Sequence, residues 1–349
     1  MVTGEMWAAY SRRWPERFEP KVTLHKDVIV TALGPAFAGT LPLPDTFYRY
    51  PLSVAKGAGV AVASLVRRPP KQASIEQPVA FIHSQWTRGY YHWMTESLPR
   101  ALAVKAVAGD VTILLPRSYS SFHGHSLNLL GLRYAYFPSH NVRIPRGYIT
   151  SCAKHFGTTA PEVLQDLRAL LRKAGPQAPH RPRRLYISRR KARGRRVLNE
   201  DEILAVLSKF GFVEVVAEDL SFSEQVSLFS HCEYLIGIHG AGLTNMLCMP
   251  SGSRVIELLA KKNGLVDLRP NTLSLRYDNC YIELAEALNH TYDRLFCDHG
   301  AGKFARTGLA DISVDCDALS RKVDALLDLK PSPAAGYEPV LCAAEKSDG

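Results

Sequence analysis

Residues Ile238-His239-Gly240-Ala241-Gly242-Leu243-Thr244-Asn245 set a histidine and two glycines between two apolar stretches. The run before them, Tyr234 to Ile238, reads as a buried strand, and the stretch after them as the start of a helix. A strand that feeds a glycine turn at a helix N-terminus brings backbone close to a ligand. It also aims free N–H groups, here those of Gly240 to Leu243, and the positive end of a helix dipole at that ligand. Such a place favours an anion, most often a phosphate or diphosphate. A tight turn whose glycines only let helix and strand pack fits the turn alone equally well.

A second segment carries cations. Arg181, Arg183, Arg184, Arg189, Arg190, Lys191, Arg193, Arg195 and Arg196 occur together with no acidic residue among them. Tyr186-Ile187-Ser188-Arg189 ends a strand, and Arg195-Arg196-Val197-Leu198-Asn199-Glu200 leads into a helix. Arginines at a strand end can fork onto phosphate oxygens with charge-assisted bonds. A solvated charge run or an RNA-contacting stripe has the same composition, but no helix-turn-helix, zinc-finger or RNP-like pattern accompanies it. Two phosphate-suited loops expected at one sheet edge favour a nucleotide diphosphate, with Ser188, Arg189, Arg196, Asn199, His239 and Asn245 as candidate contacts.

A third segment could supply a base. On a helix, His92 and Glu96 are four residues apart and share a face, so the carboxylate can orient the imidazole and raise its basicity. Tyr90, Tyr91 and Trp93 beside them offer flat apolar faces to a sugar ring; a helix start with core aromatics and a surface His–Glu contact has the same residues. Glu257, ending a later strand, is a candidate acceptor for ribose or sugar hydroxyls, or a structural carboxylate. Metal chemistry is poorly provided for. The one Asp-x-Asp triplet, Asp315-Cys316-Asp317, lies where a strand passes into a helix and suits capping, and His123-Gly-His125 lacks partners at zinc-like spacing. No metal and no other cofactor is expected.

The elements that must hold these groups follow from the rest of the chain. At 349 residues there is room for two domains, and 46% hydrophobic with 22% charged content is that of a globular protein. Seven cysteines without Cys-x-x-Cys spacing read as reduced thiols, which points to the cytoplasm. Met1 to Pro20 has no continuous apolar segment of the secretory kind, and no run is long enough to span a bilayer. The net charge of +10 implies an acidic partner: nucleic acid, anionic lipid and a phosphorylated substrate all fit charge alone. Strand-like runs at 22–30, 79–83, 111–115, 134–137 and 142–149 alternate less regularly with helices at 92–107, bent or divided at Pro99, and 161–173. The polar, turn-rich Gly175–Pro182 reads as a linker, and a cleaner strand–helix alternation from Arg184 to Leu327 implies parallel βαβ units. The expected division is 1–176, 183–330 and a poorly ordered tail over 331–349. Ligands of such sheets bind beyond the carboxyl ends of the strands, where the basic loop and the His239 turn should both lie.

Taken together, these segments resemble glycosyltransferase family 61. The resemblance rests on His92-Trp93-x-x-Glu96-x-Leu98-Pro99-Arg100, on Tyr186-Ile187-Ser188-Arg189 with Arg196-x-x-Asn199-Glu200, and on Phe222-x-x-Gln225. Gly237-x-His239-Gly240-Ala241-Gly242-Leu243-Thr244-Asn245, followed by Val255-Ile256-Glu257, completes the ordered set. It covers about residues 80–260. It implies an α/β fold of two Rossmann-like domains facing a cleft, the GT-B-type architecture. It further implies an inverting, metal-independent transfer from a nucleotide sugar, usually UDP-linked. The expectation is therefore a glycosyltransferase of bacterial surface or capsular polysaccharide, with His92 as base and Glu96 orienting it or acting as the base itself. The acceptor would be a glycan or lipid-linked glycan, with no nucleic acid bound. The location would be cytoplasmic, with peripheral association at the inner membrane. A non-catalytic nucleotide- or polyanion-binding protein is the competing expectation.

Overall fold

The computed structural model describes residues 17–47, 59, 62–63, 65–73, 75, 77–153, 159–176, 181–192, 194–261, 273–299 and 310–328. The expected tail over 331–349 and residues 177–180 of the expected linker lie outside them. The chain divides into two compact units, one within Glu16–Val163 and one from Leu164 onward, each a mixed α/β unit around its own sheet.

The first unit contains β1 (Val22–Thr31), β2 (Ala36–Ala38), β3 (Leu41–Pro42), β4 (Lys71–Gln72), β5 (Val79–Phe81), β6 (Thr112–Leu115), β7 (Tyr134–Tyr136) and β8 (Asn141–Thr150). Their order is β3-β2-β1-β8-β5-β6-β7, with β4 also pairing β8. The β8-β5-β6-β7 part is parallel and β3-β2-β1 extends it antiparallel, so this sheet is mixed. Alternating apolar residues of the long β1 and β8 register Val28 against Ile144 and Val30 against Val142, and bury both pairs with Val79, Phe81, Leu114 and Phe137.

Helices α1 (Tyr90–His92) and α2 (Leu98–Ala108) are joined by a π-helical segment, Trp93–Ser97, and α3 (Ser121–Leu129) follows β6. The expected break at Pro99 therefore takes the form of one widened turn just before the proline. Proline lacks the N–H that would have reached the Thr95 carbonyl, and that carbonyl receives the Thr159 hydroxyl instead at 2.7 Å. Helix α3 carries no long apolar stripe and was not anticipated. Its Gly124 lies under Tyr134, whose phenol oxygen would be 2.5 Å from any added Cβ.

Helix α4 (Pro161–Ala174) spans the boundary between the units. The second unit then adds β9 (Arg184–Ile187), α5 (Glu200–Lys209), β10 (Val213–Val215), α6 (Phe222–Phe229), β11 (Tyr234–Ile238) and β12 (Arg254–Ala260). After these come α7 (Leu273–Ala287), β13 (Thr291–His299), β14 (Ile312–Ser313) and α8 (Cys316–Asp328). The sheet order is β10-β9-β11-β12-β13-β14, parallel except for β14. Ile236, Ile238, Ile256, Leu258 and Leu295 form one face, covered by Ile203 and Leu207 of α5 and by Leu319, Val323 and Leu326 of α8. Ser221 and Glu224 start α6 with a reciprocal capping box. Asp315, in the Asp-x-Asp triplet, accepts the Ala318 N–H at 2.9 Å and caps α8.

Candidate functional site

Strand β9 is followed in the chain by β10 on one side of it, and then by β11 on the other. The segments leaving β9 and β11 at their carboxyl ends therefore diverge, and a crevice at such a reversal is where open α/β sheets take their ligands. Here those two segments are the basic loop after Ile187 and the turn after Ile238.

Structure sorts the cations of the basic loop. Arg190 pairs with Glu214 at 2.7 Å, Lys191 with Asp219 at 2.5 Å, and Arg196 with Asp311 at 3.1 Å. Arg189 and Arg195 instead donate to backbone carbonyls. Arg189 Nε reaches the Arg195 carbonyl at 3.2 Å and its Nη2 the Gly194 carbonyl at 3.3 Å, while Arg195 Nη1 reaches the His239 carbonyl at 3.0 Å. Both guanidiniums converge on Gly240, where an added Cβ would lie 3.0 Å from Arg189 Nη1 and 3.5 Å from Arg195 Nη1. The Gly240 backbone is extended, at φ 163° and ψ 174°, so what this position requires is space. Two cations held about one point by fixed carbonyls are an arrangement that suits an anion.

Arg195, named in the basic segment but not among its expected contacts, owes its place to backbone conformation. It adopts φ +56°, a left-handed geometry uncommon for a residue with a side chain. The reversal sends Arg195 toward the glycine turn and Arg196 toward Asp311. Arg196 and Asn199 are consequently not brought to the turn. The Asn199 amide accepts the Val314 N–H and donates to the Val314 carbonyl, both at 2.9 Å, and so ties the loop to β14 and α8. Ser188 is buried at the strand end, where its hydroxyl accepts the Arg190 N–H and Nε–H at 3.3 Å.

The element after the turn also differs from expectation. Ala241–Cys248 is a 3₁₀ helix of 8 residues, with i→i+3 bonds in place of the expected α-helix. The Leu243 N–H, expected to face a ligand, donates to the Gly240 carbonyl at 3.0 Å. Gly242 serves packing, since a Cβ there would lie 3.0 Å from Ile187 of β9. Asn245 is buried and donates to Gln225 at 3.2 Å; Gln225 in turn holds the carbonyls of Ala217 and Leu220, which fixes the loop after β10.

His239 and Glu257 form a buried pair, Nδ1 to Oε1, at 2.6 Å. Arg294, the register partner of Glu257 on β13, donates Nε to the other carboxylate oxygen at 2.7 Å and Nη1 to Asn279 at 3.0 Å. Burial alone would raise the Glu257 pKa, but the neighbouring His239 and Arg294 outweigh it and hold the carboxyl below its usual range. Glu257 has no exposed surface and directs both oxygens at protein groups, so its visible work is to orient His239 rather than to present an acceptor to ribose. Tyr281 closes the edge of the imidazole, with ring centroids 5.2 Å apart.

In the first unit His92 ends α1, and its Nδ1 lies 2.9 Å from Glu96 Oε1 on the π-helical segment. The pair is nearly buried, with side-chain exposures of 14% and 5%. Two of the three aromatics expected to face a sugar are core instead. Trp93 is fully buried with its indole N–H on Ser126 at 2.7 Å, and Tyr91 is buried as well. Arg100 is also buried; its Nε donates to the Thr150 hydroxyl at 2.7 Å and anchors α2 to β8.

Buried histidines give the fold an acid-sensitive limb. Burial lowers His83 to about 4, against a hydrogen bond to the Thr31 carbonyl that opposes the shift, and lowers His290 to about 3. Their pKa values are depressed on folding from 6.5, so the unfolded chain binds more protons in acid. Stability is therefore complete above about pH 6.5 and declines as pH falls toward 4. Thermal melts should show a flat midpoint from pH 8 to about 7 and a progressive loss below that. A midpoint that stays flat down to about pH 4.5 would contradict the neutral, buried state of both rings.

With this geometry in hand, residues 90–256 match the family described as Glycosyltransferase 61. A beta-1,2-xylosyltransferase of Oryza sativa subsp. japonica is 27% identical over 253 residues, covering 62% of this chain and 44% of that protein. An EGF domain-specific O-linked N-acetylglucosamine transferase of Drosophila melanogaster is 41% identical over 90 residues, 24% of this chain and 17% of that protein. An alpha-1,3-arabinosyltransferase of Oryza sativa subsp. japonica is 30% identical over 136 residues, 38% and 23% of the two chains. The chain thus spans less than half the length of these curated relatives. Among solved structures, the iron-containing dodecameric glycosyltransferase TibC of enterotoxigenic E. coli aligns at a TM-score of 0.31 and 11% identity. That alignment covers 52% of this chain and 57% of that one, too distant a likeness to argue from. Among the described residues no group of three or more His, Cys, Asp or Glu side chains could hold a metal ion, and no helix is long and apolar enough to cross a membrane.

Proposed function

We propose that this protein is a glycosyltransferase of the family 61 kind, moving a sugar from a nucleotide diphosphate donor, UDP-linked, to a glycan hydroxyl with inversion. The observation that carries the proposal is the convergence of Arg189 and Arg195 on Gly240 at the strand-order reversal. A leaving diphosphate gains negative charge as the glycosidic bond breaks, and two pre-positioned guanidiniums stabilise that charge without a metal. His92, oriented by Glu96, takes the proton of the acceptor hydroxyl as it attacks the anomeric carbon from the face opposite the diphosphate. In this reading the second unit is the donor domain and the first the acceptor domain of a GT-B-type enzyme. Surface-polysaccharide assembly on a lipid-linked acceptor, at the cytoplasmic face of the inner membrane, fits the net charge of +10.

Calorimetry with UDP tests the donor site. Arg189→Ala and Arg195→Ala should each weaken UDP binding by roughly 10- to 100-fold, the range for a lost charge-assisted hydrogen bond. Arg196→Ala removes an exposed ion pair with Asp311 and should change affinity by no more than about twofold. Unchanged affinity in the first two variants, or an equal loss in the third, would overturn this assignment of the arginines.

A further inference from the structure

Trp86 holds an indole in water beside the candidate base. It is 45% exposed, the most exposed tryptophan among the described residues, and its ring stacks on His92 with centroids 6.1 Å apart and planes 28° from parallel. It rides on the turn Ser84–Gly89, which leaves the carboxyl end of β5 and enters α1. The neighbouring Gln85 and Arg88 are exposed and polar, so the indole is a single flat apolar face within a polar surround. A protein-docking surface would instead present a contiguous apolar patch.

The turn is rigid. Thr87 is fully buried at its centre: its hydroxyl accepts the Ser84 N–H at 2.7 Å and the Ser97 hydroxyl at 3.2 Å, and its carbonyl bonds His123 Nε2 at 3.0 Å. The Gly89 N–H closes the turn on the Trp86 carbonyl at 2.9 Å. Ser84 is pressed against Gly34, where an added Cβ would lie 2.6 Å from the Ser84 Cα. Trp86 is thus presented by a scaffold that cannot easily fold it away.

Gly89 adds an independent observation. Its φ of −78° and ψ of 135° are open to any residue, so no backbone demand explains a glycine there. A Cβ at this position would lie 3.7 Å from Cδ2 of His92, the edge opposite the one bonded to Glu96. The same Cβ would lie 3.4 Å from the Trp86 carbonyl oxygen, so a side chain here would sit between the indole turn and the imidazole edge.

We propose that Trp86 and the Ser84–Gly89 turn form a subsite for a sugar ring of the acceptor glycan, stacked on the indole face that His92 does not cover. A pyranose or furanose ring has one face rich in C–H groups, which the electron-rich face of an indole attracts, while its hydroxyls need the polar surround. This inference rests on the glycosyltransferase reading for the name of its ligand, but its geometry lies wholly within the first unit.

An array of immobilised oligosaccharides, followed by calorimetry on the glycans retained, tests it. The 349-residue chain should bind at least one glycan. Trp86→Ala should weaken that binding by about tenfold or more, the size expected for a lost aromatic face, with Trp86→Phe keeping part of it. An unchanged melting temperature and unchanged UDP affinity in Trp86→Ala would show that the loss is local. Absence of glycan binding by the unaltered protein, or equal binding by Trp86→Ala, would overturn the subsite. Hydrolysis of UDP-sugars by the unaltered protein reports separately on the transferase reading. A protein that binds glycan through Trp86 yet never cleaves a nucleotide sugar would keep the subsite and lose the transferase.

Discussion

Glu257→Gln should destabilise the second unit by about 3–5 kcal/mol, the cost of stranding a buried charge. The substitution keeps the shape of the side chain and removes its charge, leaving Arg294 with its side chain only 9% exposed and no carboxylate at 2.7 Å. The amide keeps one acceptor oxygen for two donors, so either His239 or Arg294 then faces an N–H2 group. Against a typical total of about 5–15 kcal/mol, this should lower the thermal midpoint by roughly 10 °C or more. The double variant Glu257→Leu, Arg294→Leu should recover much of the loss, because removing both charges leaves neither stranded. A single-variant cost under about 1 kcal/mol would mean that water reaches the pair, and the orienting role given to Glu257 would fall with it.

His92→Ala should lower sugar transfer by roughly 10²- to 10⁴-fold, the range for losing a positioned general base. UDP affinity should not move, since His92 belongs to the first unit and the arginines to the second. Glu96→Gln keeps the imidazole and removes only the charge beside Nδ1, so its loss should be smaller. The two assignments separate cleanly. If His92→Ala turns over normally and Glu96→Gln is dead, Glu96 is the base and His92 its companion. Normal turnover in both would remove this pair from the chemistry.

Much of this arrangement was legible in the chain. Tyr234–Ile238 reads as a buried strand from its apolar run alone, and it is one. The strand–helix alternation after Arg184 yields a sheet that is parallel except at its last strand. What escaped depends on contacts the local pattern does not carry. Strand β13, Thr-Tyr-Asp-Arg-Leu-Phe-Cys-Asp-His, is broken by charges because Arg294 is needed by Glu257 and Asp293 pairs with Lys322. Arg195 and Arg196 are indistinguishable by type, and only the left-handed backbone at Arg195 decides which one meets the turn. The aromatics of the His92 motif looked alike too. Burial separates them, sending Trp93 to the core and leaving Trp86, outside the motif, at the surface.

The 3₁₀ helix after His239 has a consequence for how this segment can vary. It alone carries the chain from β11 to the parallel β12, and every residue from Leu243 to Met249 along it and at its end is buried. With about three residues per turn, gaining or losing one residue rotates everything downstream by about 120°. Asn245 would swing from Gln225, and the Met246 carbonyl from His290. Substitutions that keep size and polarity can accumulate here, but insertions and deletions cannot. Among descendants of this chain, the count of residues between His239 and Arg254 should outlast the identity of most of them.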